Sequence, residues 1–191
     1  MFERHIKSSS ASEEAWLKSY YSVRAAFSAI WVVLAFSIGK QATAGVAVLL
    51  VIYPAWDALA NFIDMSRSGG TGKNRTQAIN IAVSAVTAVA VVLELSIGAP
   101  PILVIFGVWA ILSGLLQLAT AVRRWKDLGA QWAMILSGAQ SALAGAFFII
   151  QSGASTPPAI FRIAGYAAVG AAYFLISAVW LHVKHARLNA I

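Results

Sequence analysis

Three polar side chains inside an otherwise apolar stretch are the strongest chemical signal in this 191-residue sequence. Asp57, Asn61 and Asp64 recur at i, i+4 and i+7, which puts them on one face of a helix. The run that carries them, VIYPAWDALANFID from Val51 to Asp64, reads as part of a membrane span. A charge at the centre of a bilayer costs about 2.5 to 3.5 kcal/mol on insertion scales, so a retained carboxylate calls for a partner or a use. Two readings are open: an ion pair that stabilises the protein near its cytoplasmic surface, or a site for a small solute or protons built on Asp57 and Asn61. The candidate partner is Arg24. Measured from the shoulders of a short turn at Ile38 and Thr43, Arg24 and Asp57 each lie fourteen residues away. At 1.5 Å per residue both sit about 21 Å below that turn, at a common depth. Asp64, about two turns nearer the cytoplasm, competes for Arg24 only if that side chain snorkels.

Other motifs carry less chemistry. Gly69-Gly-Thr-Gly-Lys73 has the composition of a phosphate loop, but Arg67 stands where the first glycine belongs and Asn74 where a hydroxyl would hold magnesium. It reads as a flexible cytoplasmic loop in which glycine stops a helix. His182 and His185, at i and i+3, lack the further ligands of a metal site, so neither metal nor cofactor is expected. Glu94 reads as an interfacial residue facing Arg162. No nucleophile with a base and no paired carboxylates at catalytic spacing occur, which points away from an enzyme. Cysteine is absent, excluding disulfides and thiolate chemistry.

The elements that must position these residues are membrane helices. Hydrophobic residues make up 60% of the chain and charged residues 11%, against roughly 25% charged in a soluble domain. Apolar windows near the ~20 residues that cross a bilayer run from about Tyr20 to Ser37, Gln41 to Asp64, Gln77 to Ser96, Pro100 to Val122, Gly129 to Gln151 and Pro158 to Val183. Pro100-Pro101 and Pro157-Pro158 suit helix starts, where a missing N–H is harmless. Residues 1–19 contain no apolar core of a cleavable signal and read as a cytoplasmic amphipathic segment, with Ser10 and Glu13 at capping-box spacing and Glu14 and Lys18 at i, i+4. Of the fourteen Lys and Arg, twelve flank one side of these spans and only Lys40 and Arg162 the other. Both termini are therefore expected in the cytoplasm. The net charge of +7 serves this topology, since the basic residues sit between apolar runs and do not form a face for nucleic acid.

The spans also repeat. Val51–Asp64 aligns with Val104–Gln117, VIFGVWAILSGLLQ, and more weakly with the segment containing Gly165–Phe174, so that Trp109 corresponds to Tyr166. Asp57 then corresponds to Ala110 and Ala167, and the acidic stripe belongs to the first unit alone. Ser28, Ser84 and Ser137 correspond in the odd-numbered spans. The expected fold is all-α: a six-helix integral membrane bundle of three hairpins, at about 20–64, 77–122 and 129–183, followed by a cytoplasmic tail at 184–191. The hairpins share one orientation, hence a repeat axis along the membrane normal. Small-residue stripes at Ser137, Ser141 and Gly145 and at Ala164, Ala168 and Ala172 allow close helix approach within the chain or between copies in a homo-oligomer.

The run Trp109-Ala-Ile-Leu-Ser-Gly-Leu-Leu-Gln117 with Arg123 and Arg124 after it, then Trp132-Ala-Met-Ile-Leu-Ser-Gly138, resembles the HdeD-like family of acid-resistance membrane proteins. That resemblance implies a bacterial inner-membrane protein with a link to stress, and it brings no catalytic residues. The first hairpin departs from the pattern, with Ala60-Asn61 in place of Ser113-Gly114. The expectation is a non-enzymatic protein whose partner is the lipid bilayer. A small channel or carrier and a membrane assembly subunit are the alternatives. Cysteines introduced at Gly98 and Gly153 should react with impermeant thiol reagents from outside the cell while one at Gly70 stays protected, and the reverse pattern contradicts the positive-inside orientation.

Overall fold

The computed structural model describes residues 2–41, 44–97, 101–126, 131–153 and 158–189, with the side chains of 2–13, 73, 185 and 187–189 outside the description. The described residues form seven helices: α1 (Phe2–Ile38), α2 (Ala44–Arg67), the single turn α3 (Gly70–Lys73), α4 (Arg75–Ile97), α5 (Ile102–Arg124), α6 (Gln131–Ile150) and α7 (Ala159–Asn189). Six are long and apolar enough to cross a membrane. Pro101 caps α5, as its fixed φ allows, and Pro158 precedes α7. Pro100, Pro157, Gly98 and Gly129 lie outside the described residues.

The six long helices close into a ring in chain order, α1–α2–α4–α5–α6–α7, with α7 returning to α1. Lipid solvates the outer wall: Ile30, Val33, Val86, Val89, Leu143, Phe147, Leu175 and Val179 are all exposed there. Close and looser seams alternate around the ring. The most extensive contacts are α5 on α6, α1 on α7 and α2 on α4, whereas α1 and α2, expected to touch along the first hairpin, pack less extensively.

Glycine explains the closest seam. A Cβ on Gly114 would lie 2.6 Å from the Gly138 carbonyl oxygen, and one on Gly138 would lie 2.7 Å from that of Gly114. Gly107 meets Gly145 in the same way about two turns further along. Helices in lipid associate by fit, so the backbones approach where side chains are absent. The Ser141–Gly145 stripe is thus used inside the chain. On α7 the second stripe divides, Ala164 being fully buried and Ala172 exposed.

Two local expectations change. Helix α1 begins at Phe2, so Ser10 lies within it and cannot be the N-cap. Glu14 accepts a hydrogen bond from Lys184 Nζ at 2.6 Å, tying α1 to α7. The glycine segment is a built turn where a flexible loop was expected. Gly69, at φ 101°, ends α2 in the left-handed region and α3 follows. Asn74 then fastens the turn, donating to the Ser68 carbonyl at 2.7 Å and accepting from Arg123 at 3.0 Å.

The interior differs between the two ends of the ring. At the end with few basic residues it is filled by Trp31, Ala35, Leu49, Val91, Leu103, Phe106, Phe148 and Ile163. At the basic end, where Arg67, Arg75, Arg123 and Arg124 sit, it is polar. Gly114→Val should destabilise the protein by about 1–3 kcal/mol through forced separation of α5 and α6. Gly165→Ala, which meets nothing within 4 Å, should be near neutral; equal effects of the two in a detergent unfolding titration would contradict the glycine seam.

Candidate functional site

A cavity of about 90 Å³ occupies the basic half of the ring and draws its lining from all six long helices. It runs from Thr76, Arg124 and Gln131 at the basic end down to Tyr53, Trp109 and Tyr166, where the apolar cluster begins. These three rings form a floor by edge contacts, Tyr53 to Trp109 at 5.7 Å and Trp109 to Tyr166 at 6.2 Å between centroids. The repeat is visible here: Trp56, Trp109 and Tyr166, which correspond in sequence, all line the cavity.

Asp57, Asn61 and Asp64 are buried on the inner face of α2. Arg24 reaches across from α1 to Asp57 Oδ1 through its Nη2, joining the two residues placed at equal depth by the turn geometry. Its Nη1 donates to the Tyr20 hydroxyl at 3.0 Å, and the guanidinium lies over the Phe174 ring at 4.4 Å. The other oxygen of Asp57 accepts from Ser84 Oγ at 2.8 Å, Asn61 Nδ2 at 3.1 Å and Asn80 Nδ2 at 3.3 Å. Ser84 in turn accepts from Trp109 Nε1 at 2.9 Å. One carboxylate therefore links α1, α2 and α4, and through Ser84 it fixes the ring of α5 that floors the cavity.

Asp64 does not compete for Arg24. Its Oδ2 accepts from Arg124 at 3.1 Å and from Gln77 at 3.1 Å, a second ion pair that binds α2 to α5 and α4 at the basic end. Arg123 supports it by donating to Gln77 Oε1 at 3.1 Å. Elsewhere, Arg162, expected to face Glu94, donates to the Gln151 carbonyl at 3.0 Å. His182 is exposed, and the His185 side chain lies outside the described residues.

Sequence reasoning missed Gln77, Asn80 and Ser84 as partners. Their signal was present: with Thr87 they recur at i, i+3, i+7 and i+10, a polar stripe along an apolar helix, and all four are buried. Arg124 was read only as a topology signal, and Ser113 only as a packing residue.

A ring of six apolar helices around a polar cavity defines a multi-pass membrane protein. Residues 79–150, from α4 through α6, match the family model described as a short repeat of unknown function (DUF308). The run from Trp109 to Gly138 falls inside the matched stretch. No curated protein and no solved structure gives a significant match.

Arg24→Ala and Asp57→Ala should each destabilise the protein by about 3–5 kcal/mol, because each leaves a buried charge without its partner. The double variant should cost less than their sum. Strictly additive losses in an unfolding cycle would argue against the pair.

Proposed function

We propose that this protein is a non-enzymatic carrier of the bacterial inner membrane that admits a small polar solute to its central cavity from the cytoplasm. The observation that carries this reading is the cavity, a polar chamber inside a lipid-solvated ring with buried polar atoms that no group among the described residues satisfies. A bundle selected only for stability would fill that space, since voids forfeit packing and lone polar groups cost desolvation. The basic residues support cytoplasmic access, because positive charge accumulates on that face and the cavity approaches the same end. The Tyr53–Trp109–Tyr166 floor and the apolar cluster beyond it must part for a solute to pass, which favours a gated carrier over an open pore.

Asp57 enters this reading as the structural post, its oxygens being occupied by Arg24, Asn61, Asn80 and Ser84. The acid-resistance role implied by the HdeD-like resemblance has no support in the matches and forms no part of the proposal. Reconstituted liposomes should pass at least one of urea, glycerol, glycine or methylammonium faster than protein-free vesicles. Leu116→Trp, which projects a large ring from the cavity wall, should abolish that flux without a large loss of thermal stability. Flux equal to protein-free vesicles for every solute would contradict the proposal.

A further inference from the structure

The polar atoms around the cavity fall into two groups. Asp57, Asn61 and Ser84 are committed to one another and to Arg24, Asn80 and Trp109. Four other atoms are buried, belong to residues lining the same cavity, and have no hydrogen-bond partner among the described residues: Asp64 Oδ1, Asn80 Oδ1, Ser113 Oγ and Trp56 Nε1. Asp64, Asn80 and Ser113 are only 4%, 7% and 8% exposed. The Asn80 amide cannot resolve its own case by turning over, because its nitrogen donates to the Asp57 carboxylate and the exchange would place oxygen against oxygen.

These atoms describe what would complement them. Three can accept, one of which, Ser113, can also donate, and Trp56 can only donate. Charge is already balanced, Arg24 with Asp57 and Arg124 with Asp64, so an ion entering the cavity would meet no uncompensated counter-charge and would lose its hydration. About 90 Å³ holds several waters or one solute of a few heavy atoms. The Trp56, Trp109 and Tyr166 rings offer flat apolar walls to a planar group.

We infer that the cavity takes a small uncharged solute of the amide or urea class, its amino N–H groups donating to Asp64 Oδ1, Asn80 Oδ1 and Ser113 Oγ and its carbonyl oxygen accepting from Trp56 Nε1. This rests on the carrier reading above and names its substrate class. Ser113 and Trp56 then discriminate solutes without giving up a hydrogen bond of the fold, since neither Ser113 Oγ nor Trp56 Nε1 has a hydrogen-bond partner among the described residues.

The test is stopped-flow light scattering on liposomes containing the full chain, with urea and methylammonium as probes, alongside unfolding midpoints in detergent. Urea should cross faster than methylammonium. Ser113→Ala and Trp56→Phe should each reduce urea flux about fivefold, the equivalent of one neutral hydrogen bond, while the unfolding midpoint of Ser113→Ala does not fall. Urea flux unchanged in both variants would overturn the assignment. Methylammonium crossing faster than urea would overturn the uncharged class but leave the carrier reading standing. Flux of neither urea, methylammonium, glycerol nor glycine above protein-free vesicles would sink both.

Discussion

A carboxylate held inside a bilayer is tolerable only when its charge and its lone pairs are met, and Asp57 is met from three helices at once. Arg24 supplies the charge from α1, Asn61 a donor from its own helix, and Asn80 and Ser84 two more from α4. Removing any one of these takes a hydrogen bond or the counter-charge from a buried carboxylate. The cluster therefore fixes how α1, α2 and α4 stand to one another. Through Ser84 it also sets the Trp109 ring against Tyr53 and Tyr166, so the floor of the cavity is an indirect consequence of one acidic side chain.

The opposite wall is held by different physics. Helices α5 and α6 carry no charge pair between them and need none, because Gly107, Gly114, Gly138 and Gly145 let their backbones meet. Ser141 adds a hydrogen bond to the Ala110 carbonyl at 2.9 Å and contacts the Tyr166 hydroxyl at 2.7 Å. Ala110 stands where Asp57 stands in the first unit. One repeat thus uses a carboxylate where the next uses close packing. The chamber lies between a polar seam and a glycine seam, and of its charged lining residues only Arg124 comes from the glycine-seam helices.

Much of this was legible in the sequence. Helix number followed from hydropathy, and the Arg24–Asp57 pairing followed from helix rise measured from a short turn. Both depend on local geometry that residue spacing records directly. What spacing could not record was which neighbours pack closely. The expected hairpins joined α1 with α2, yet the tighter seams fall at α2 with α4 and α5 with α6, because packing in lipid follows surface shape and not connection length. The role of Asp64 was misjudged for a similar reason: its partner Arg124 is sixty residues away, on a helix whose rotation no hydropathy pattern specifies. The polar stripe Gln77–Asn80–Ser84–Thr87 was readable and overlooked. Whether Ser113 had a partner was not readable, since an unsatisfied atom is defined only by everything around it.

On the proposed reading the polar chamber is entered from the basic end and sealed by an apolar plug at the other. The native chain has no cysteine, so a single introduced thiol reports its own surroundings. The most direct measurement is labelling of Ser113→Cys, in the chamber wall, and Phe106→Cys, in the plug, by a small impermeant thiol reagent applied to either face of sealed vesicles. The account predicts that Ser113→Cys is modified only from the face bearing Arg67 and Arg124, and that Phe106→Cys is modified from neither. Modification of Ser113→Cys from the opposite face, or from neither face, would contradict it.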